Sequence, residues 1–345
     1  MARSGLTIDG VKAVVSSGFS RVAQVESSMQ VAGIHTVLTD NASLKQEGGR
    51  SGRTCPGTHW IVGQPFPYVQ RPDHPTPSIQ TENIASDLLK IAVMKKGKPF
   101  NWYNAPTSDQ LSQALLYLKE IEAIDENEMV TDLGKWMAKL PYSLEISKFL
   151  IACHVGGVLE EGAIVAAFMQ NKIKVEDPSL ELFVLGYEKG KFDDLECIKD
   201  IKSTIKESLN SIPSLPGITG IKRNPIGSVV KRNRLETLRK AVIYGFGHRA
   251  GIYIPTMLNQ YNEVLKGDSY FTTDQTDAVQ FFMPTMDSFY GQIVVPLDLF
   301  TFENRFTCHF AVMISMDELK TFCGTQAGRL QSLYMSVNQS QTWLA

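Results

Sequence analysis

Hydrophobic and polar positions follow different patterns in successive parts of the chain. Residues 1–64 carry short β-branched runs separated by turns, which predict part of an α/β unit. Further along, Leu111, Leu115 and Leu118 recur at helical spacing, with Ser108 as a candidate N-cap. The pattern stays helical to about residue 250 and then becomes strand-like, with aromatic and β-branched residues between Pro and Gly.

These changes predict a multidomain chain of class α/β plus α plus β. The segment 65–77 has five prolines in thirteen residues, which neither a helix nor a central strand tolerates, so it is predicted to be a linker. The predicted parts are a partial α/β domain at 1–64, the Pro-rich linker at 65–77, a winged helix at 78–146, a helical bundle at 147–250, a small β-barrel at 251–328 and a C-terminal tail at 329–345.

Composition changes this picture little. The net charge of −2 over 345 residues means that nucleic-acid binding would have to come from local basic patches. Five cysteines lie far apart without a CxxC pair or zinc spacing, so we expect reduced thiols and no metal site. No apolar run reaches the 18 or so residues of a membrane span, and the first residues lack a signal-peptide core. We therefore expect the nucleus or the cytoplasm and no membrane partner.

Several linked motifs point to one family. "QEGGRSGR" at residues 46–53 resembles QRxGRxGR, and "TCPGTHW" after it resembles TxPGxCY. Upstream, "ARSGLTIDGVKAVVSSGF" resembles AETSLTIxGVxxVVDSGF; downstream, "PSIQTENIASDLL" resembles PEIQRTNLASxxL and "VTDLGKWMAKLP" resembles LTxLGRxMAxLP. In this order, the motifs make nearly the whole chain similar to the C-terminal half of a DEAH/RHA-type ATP-dependent RNA helicase.

The resemblance implies a fold and a set of site residues. The expected domains are the end of the second RecA-like domain, a winged helix, a ratchet-like helical bundle and an OB-like barrel. Arg50 and Arg53 would be the arginines that reach the γ-phosphate, with Gln46 near the attacking water, because guanidinium groups bind phosphate oxygens in a bidentate fork. The cofactor would be ATP with Mg in the intact parent, contacted also by Gly49, Gly52, Thr7 and Asp9. For the segment alone, a turn with solvated arginines is the alternative.

Departures from the family pattern limit the activity. Glu47 stands where the family has arginine, so a negative charge is expected beside the phosphate path. The chain has no GxxxxGK[ST] P-loop and no DEAH motif. The nearest likeness to DEAH is "DENE" at 125–128, which is expected at a wing-like turn and not after a buried strand. We therefore expect no NTP hydrolysis by this chain alone, which would be a fragment of a helicase or a product that has lost the first half of the motor.

RNA contact is predicted from a basic stretch and a hairpin. Residues 221–240 hold seven basic residues against one acid, which is typical either of phosphate binding or of a solvated helix face. The hairpin at 28–40 resembles the strand-separating hairpin of the family. The candidate RNA-binding residues are Ser4, His35, Lys222, Arg223, Lys231, Arg232 and Arg234.

Two functions therefore remain open. The first is the C-terminal half of an RNA helicase that contributes arginine fingers and an RNA channel. The second is a non-catalytic remnant that binds RNA or a partner. The expected partners are single-stranded RNA, bound largely independently of sequence, and an activator protein on the winged helix or barrel.

Overall fold

The fold is described from a computed structural model of the chain. The described residues are 9–26, 31–63, 70–95, 100–171, 195–210, 221, 231–254, 268–271, 278–281, 292–297, 299–302, 305–308, 311–324, 327–328, 330–331 and 334–335. Of the predicted site residues, Ser4, Thr7, Lys222 and Arg223 lie outside this set, as do the start of the predicted linker and the end of the predicted tail.

The N-terminal α/β unit is built on two parallel strands. β1 (Ala13–Ser16) pairs with β4 (Thr58–Ile61), with Val15 opposite Trp60. Parallel strands need a long crossover connection, which here contains the hairpin of β2 (Phe19–Glu26) and β3 (Val31–Leu38) and the helix α1 (Asn41–Gly48). The predicted α/β character of this part is therefore present in the structure.

Short helices and a tight turn follow from residue 78. A 3₁₀ turn (Ser78–Gln80) precedes α2 (Ala85–Lys95), α3 (Ser108–Glu120) and α4 (Asp132–Met137). The N-cap of α3 is Thr107 and not the predicted Ser108, because the Thr107 hydroxyl accepts from the Gln110 amide while the Gln110 side chain accepts from the Thr107 amide, forming a capping box.

The wing-like turn predicted at "DENE" is present between α3 and α4. Ile124 and Val130 form an antiparallel bridge. Inside it, the Asp125 carboxylate accepts from the amides of Asn127 at 2.9 Å and Met129 at 2.8 Å. An aspartate whose carboxylate accepts from backbone amides two to four residues later is typical of an Asx turn, so Asp125 has a structural role in this segment.

A helical bundle forms the centre of the molecule. It contains α5 (Leu144–Gly156), α6 (Leu159–Asn171), α7 (Leu195–Asn210) and α8 (Lys231–Phe246), followed by a 3₁₀ turn (Gly247–Arg249), and α9 (Met316–Phe322) packs on α8. Gly157 ends α5 at φ +75°, a left-handed conformation that favours glycine. A Cβ at Gly245 would lie 2.7 Å from Cβ of Phe149, so the glycine allows the close approach of α5 and α8.

The C-terminal strands extend one large sheet. These strands are β5 (Gly251–Ile254), β6 (Asp268–Phe271), β7 (Ala278–Phe281), β8 (Ile293–Pro296), β9 (Leu299–Phe302), β10 (Arg305–Cys308) and β11 (Ala311–Ile314). The sheet order is β11-β8-β5-β6-β7-β10-β9-β3-β2, so the N-terminal hairpin joins it through a parallel pairing of β3 with β9. Among the described strands the sheet is open at β11 and β2, and the predicted closed barrel is not found.

Candidate functional site

The helix α1 carries the first part of the arginine motif. Asp40 caps its N-terminus by accepting from the Ser43 amide at 2.8 Å, and Leu44 is buried beneath it. Gln46 is exposed in the last turn. The helix ends at Gly48, so the two arginines follow it in non-helical backbone.

The arginine turn, residues 49–54, folds back on the end of α1. The amides of Arg50 and Ser51 donate to the carbonyls of Glu47 and Gly48, each at 3.1 Å, and the buried Ser51 hydroxyl also donates to Gly48 at 2.8 Å. Arg53 is exposed and Arg50 is half-buried. These hydrogen bonds hold the backbone of Arg50 and Ser51 against the end of α1, and Arg53 follows two residues later.

The predicted glycines have distinct surroundings. A Cβ at Gly52 would meet no atom within 4 Å, so the space beside this residue is open. Gly49 has an ordinary right-handed backbone and caps α1 through its amide. Close approach is required instead at Gly57, where a Cβ would lie 1.9 Å from the Ser51 carbonyl oxygen. The sequence did not single out Gly57.

Glu47 lies under the turn and contacts β1. Oγ of Ser16 donates to Oε2 of Glu47 at 2.5 Å and lies 2.8 Å from Nε2 of His59 on β4. One carboxylate, one hydroxyl and one imidazole therefore join α1, β1 and β4. The carboxylate expected beside the phosphate path is hydrogen-bonded toward the parallel strand pair.

Arg71, in the segment predicted to be a linker, is buried within the α/β unit. Its guanidinium donates to the carbonyls of Gly18 at 2.6 Å, Thr39 at 3.0 Å and Gly63 at 2.7 Å. The amides of the first two residues of α1 donate to the carbonyls of residues 72 and 73. The described part of this segment, from residue 70, therefore packs as part of the α/β unit.

The motif upstream of β1 lies beside the arginine turn at one point. The Gly10 amide donates to Oγ1 of Thr54 at 3.2 Å, next to the exposed Asp9. This hydrogen bond joins the segment that carries Asp9 to the end of the arginine turn, and a shared nucleotide site of Asp9 with Gln46, Arg50 and Arg53 stays a prediction. Thr7 and Ser4 lie outside the described residues.

His35 lies on the hairpin, away from the arginine turn along the chain. It is half-buried on β3 and stands opposite Val22 on β2. Its position in the hairpin agrees with the sequence prediction, and its proposed contact with RNA stays a prediction.

The basic stretch is partly neutralised by acids of the bundle. Nε of Arg234 lies 2.5 Å from Oε1 of Glu161 and its other end approaches Glu160, while Lys202 of α7 also pairs with Glu160 at 3.0 Å. Arg239 pairs with Glu318, and Lys240 with Glu236. Lys231 and Arg232 belong to the first turn of α8. Arg234 therefore ties α8 to α6 and is not an unpaired surface charge.

A buried cluster of polar groups, missed from the sequence, joins the winged helix to the bundle. The Arg249 guanidinium donates to the buried carboxylate of Glu145 and, at 3.4 Å, to the Leu297 carbonyl. Tyr117 of α3 packs edge-on against His248 with ring centroids 5.6 Å apart. Nζ of Lys148 lies 4.3 Å from the ring centroid of Tyr244 and 3.9 Å from Glu122. Charged residues on a helix are usually exposed, so spacing alone gave no signal.

Burial and neighbouring charges shift the pKa values in this cluster. Burial would raise the pKa of Glu145, but Arg249 beside it lowers the pKa to about 2. Burial, with the adjacent Arg249, lowers the pKa of His248 to about 3. Burial also lowers the pKa of Lys148, partly offset by Glu122. At neutral pH the cluster therefore holds an ion pair and a neutral imidazole.

The described residues contain neither a metal-binding cluster nor a membrane-spanning helix. Within the residues that the structure describes, no group of three or more His, Cys, Asp or Glu side chains is placed to hold a metal ion. Across the same part of the chain, every helix is too short or too polar to cross a membrane.

Comparisons with known proteins agree with the motif order. The family described as "Helicase associated domain (HA2), winged-helix" matches residues 114–141. The human "Probable ATP-dependent RNA helicase DHX34" is 30% identical over 169 residues, covering 48% of this chain and 15% of that protein. The "Probable ATP-dependent RNA helicase DHR2" of Saccharomyces cerevisiae is 28% identical over 183 residues, covering 52% of this chain and 25% of that protein.

A further relative and a solved structure extend the likeness. The "Pre-mRNA-splicing factor ATP-dependent RNA helicase prp22" of Schizosaccharomyces pombe is 28% identical over 172 residues, covering 49% of this chain and 15% of that protein. The Escherichia coli DExH-box NTPase HrpB superposes with a TM-score of 0.70 at 16% identity, covering 94% of this chain and 36% of the HrpB chain. At that identity the superposition shows the fold alone.

These findings confirm the resemblance to RNA helicases of DEAH/RHA type. Residues 114–141 match the HA2 winged-helix family, the relatives are named as ATP-dependent RNA helicases, and the mixed α/β fold is similar to that of a portion of HrpB. The matched region is a quarter or less of the length of these three curated relatives.

Proposed function

We propose that this chain acts as the C-terminal half of an ATP-dependent RNA helicase of DEAH/RHA type. The observation that carries the proposal is the arginine turn. Arg50 and Arg53 follow α1, backbone hydrogen bonds hold Arg50 and Ser51 against its last residues, and Gln46 is exposed in the preceding turn of the helix. Such a turn, in a chain whose relatives are ATP-dependent helicases, supports a role in nucleotide hydrolysis.

The residues present fit the phosphate end of ATP with Mg. Two guanidinium groups supply the positive charge that phosphoryl transfer requires, and the open space at Gly52 leaves room for a phosphate to approach. Gly49, Asp9 and Thr7 are the further contacts that the resemblance implies. ATP would supply the transferable phosphoryl group. Since the 345 residues contain no P-loop and no DEAH, the magnesium ion and most nucleotide contacts would come from a separate RecA-like domain.

Loss of Arg53 in a rejoined enzyme tests this proposal. We expect the chain alone to show no RNA-stimulated ATPase. Joined to the preceding RecA-like part of a relative, it should hydrolyse ATP, and Arg53→Ala should lower kcat about 10³-fold, since arginine fingers contribute at least that much. Lys45→Ala, an exposed cation one turn earlier on α1, is the matched control and should leave kcat unchanged. Equal rates for the two variants would contradict a catalytic role of Arg53.

The RNA channel is the second part of the proposal. His35 on the hairpin and Ser4 upstream would contact the strand, together with Lys222, Arg223, Lys231 and Arg232 from the basic stretch. Arg234 was also predicted, but its ion pair with Glu161 makes it a poor probe, because reversing its charge would disturb the bundle. The C-terminal strands would complete the channel. Binding should be salt-sensitive and largely independent of sequence.

Charge reversal at the start of α8 tests the channel. The double variant Lys231→Glu/Arg232→Glu should weaken binding of a labelled single-stranded RNA about tenfold at low salt and flatten the salt dependence, as measured by fluorescence anisotropy. Lys139→Glu, an exposed position in the winged helix, should bind like the parent. If both variants bind like the parent, the basic stretch does not contact RNA.

A non-catalytic remnant of such a helicase is the alternative function. It would bind RNA or an activator protein on the winged helix or barrel surface, in the nucleus or the cytoplasm. The rejoined enzyme separates the two functions, because a remnant would keep RNA affinity and show no Arg53-dependent hydrolysis.

A further inference from the structure

Three departures from the family pattern meet at one point in the structure. Aligned to the patterns above, Ser16 stands at an aspartate, Glu47 at an arginine and His59 at a cysteine. These positions are far apart in sequence, on β1, α1 and β4. Yet Oγ of Ser16 lies 2.5 Å from Oε2 of Glu47 and 2.8 Å from Nε2 of His59. Because the side chains at these three positions contact one another, we interpret their departures from the family pattern as one combined change.

The chemistry of the groups fixes the direction of the hydrogen bonds. An ionised carboxylate only accepts, so the Ser16 hydroxyl must donate its single proton to Glu47. Oγ of Ser16 is then left as an acceptor toward His59, which therefore carries a proton on Nε2. The relay runs from His59 through Ser16 to Glu47 and satisfies each member, in a place where Ser16 is only 6% exposed.

The relay holds the end of α1 against both parallel strands. Glu47 is the penultimate residue of α1, and its carbonyl accepts from the Arg50 amide at 3.1 Å. On the other side, a Cβ at Gly48 would lie 2.6 Å from Nδ1 of His59, so the last residue of the helix packs on the edge of the imidazole ring. Whatever fixes Glu47 and His59 therefore also fixes the backbone from which the arginine turn begins.

The charges at positions 16 and 47 also fit a compensated exchange. The family pattern places an acid at position 16 on β1 and a base at position 47 on α1, whereas this chain has a neutral hydroxyl on β1 and an acid on α1. Either arrangement joins the two elements with a donor and an acceptor. A carboxylate at 47 facing an aspartate at 16 would instead repel it, because like charges in a partly buried site are destabilising.

We propose that Glu47 is a positioning residue that acts through Ser16 and His59 to lock the arginine turn onto β1 and β4. The consequence for phosphate binding rests on the proposed function, whereas the lock itself does not. A positioning role for Glu47 is the opposite of the expectation that its charge impairs the site. Glu47→Arg alone should loosen the turn, because the substitution removes the acceptor for Ser16 and introduces a cation without a partner.

Limited trypsin digestion of the 345-residue chain tests the lock without any nucleotide. Trypsin cleaves after Arg50 only when the turn opens, because Ser51 is buried and its amide donates to the Gly48 carbonyl. We expect Glu47→Leu, Ser16→Ala and Glu47→Arg each to raise the cleavage rate there about five- to tenfold, since each leaves a partly buried polar group unsatisfied. The double variant Ser16→Ala/Glu47→Leu should be no worse than either single variant. Ser17→Ala, the exposed neighbour of Ser16, should digest like the parent.

Rescue separates positioning from general loss of structure. Ser16→Asp/Glu47→Arg restores the family arrangement and should return cleavage close to the parent rate, although Glu47→Arg alone opens the turn. Imidazole ¹⁵N spectra should show His59, one of six histidines, with its proton on Nε2 in the parent, and a mixture of tautomers in Ser16→Ala. Additive single-variant effects, no rescue by the double exchange, or an unchanged His59 tautomer would each overturn the proposal. None of these readouts depends on ATP hydrolysis.

Discussion

The N-terminal α/β unit and the helical bundle are held together by different kinds of contact. In the bundle, α5 is buried almost all round, and its side chains join a core that runs from Ile84 to Leu330. In the described residues 9–63, the only hydrophobic side chain among the deeply buried ones is Leu44. The deeply buried polar side chains of the α/β unit are Ser16, Thr39, Asp40, Ser51 and Arg71.

The outer surfaces of the two regions differ in the same way. Val15, Trp60 and Val62, on or beside the parallel strand pair, are each more than 60% exposed. Parallel sheets are normally covered on both faces, so an open parallel pair gains little from burial. The α/β unit therefore depends on hydrogen bonds such as those of Arg71 and Ser16 in place of a large apolar core. The arginine turn therefore depends on individual hydrogen bonds, each of which can be removed by a single substitution.

Removing core volume should have the largest effect and should affect both regions. Phe149 is fully buried between α5 and α8, so Phe149→Ala should lower the free energy of unfolding by about 3–5 kcal/mol in urea titrations. Leu116→Ala, at a position of the neighbouring α3 that is 63% exposed, should change it by less than about 0.5 kcal/mol. A small loss at Phe149 would show that the bundle does not depend on this core.

Cutting the Arg71 tie should loosen the α/β unit alone. Arg71→Ala removes three guanidinium hydrogen bonds and leaves the Thr39 carbonyl without this donor, while the Gly18 carbonyl still accepts from the Thr39 amide. Amides near Thr39 and in α1 should therefore lose about 2–3 kcal/mol of hydrogen-exchange protection. Amides of α5 should be unaffected. Arg21→Ala, an exposed arginine on β2, is the control. Equal loss of protection in α5 would mean that the two regions unfold as one unit.

The two regions also differ in how far the sequence predicts them. Helical periodicity predicted the helices between residues 78 and 250 because their stability comes from apolar faces that repeat along the chain. The role of Arg71 was missed because Pro-rich composition is typical of a linker, and a single arginine in it carries no periodic signal. The pairing of β3 with β9 joins residues 33–34 to 301–302, a contact too distant in sequence for local patterns to indicate.

The candidate site was predicted in outline. Motif spacing placed Gln46, Arg50 and Arg53 on one short segment, since they are close in sequence. It could not place the Glu47 side chain, because the direction of a carboxylate depends on donors contributed by another strand. The partners of Arg234 were missed for the same reason, and the buried Glu145–Arg249 pair is separated by 104 residues.

Acidification should weaken the bundle through His248. Its pKa is lowered by burial from 6.5 to about 3, so below pH 6.5 the unfolded chain binds a proton that the folded chain does not. Stability should therefore fall as the pH drops from about 6.5 toward 3. Glu145, whose folded pKa is about 2 against an ordinary 4.5, adds a loss in the same direction only below about pH 4.5.

Between pH 6.5 and 4.5 the two groups can be told apart. His248→Gln should remove about 1–2 kcal/mol of the pH-dependent loss of unfolding free energy in this window, whereas Glu145→Gln should leave the slope there unchanged. His74→Gln, at an exposed position, is the matched control. An unchanged slope in His248→Gln would mean that the imidazole is protonated in the folded protein.

Substitutions on the exposed parallel strands should have the smallest effect on stability. Comparing them with substitutions in the bundle core tests whether the two regions differ in apolar burial. Trp60 on β4 is 62% exposed, whereas Trp136 on α4 is 6% exposed. Trp60→Gln should change the free energy of unfolding by no more than about 0.5 kcal/mol, and Trp136→Gln should lower it by about 3 kcal/mol or more, because only the second leaves a cavity in the core. Sedimentation at increasing concentration should also show less self-association of Trp60→Gln, since an exposed indole favours contact between molecules. A loss of more than about 1.5 kcal/mol in Trp60→Gln would mean that its indole is packed in solution, and that the α/β unit has a hydrophobic core of its own.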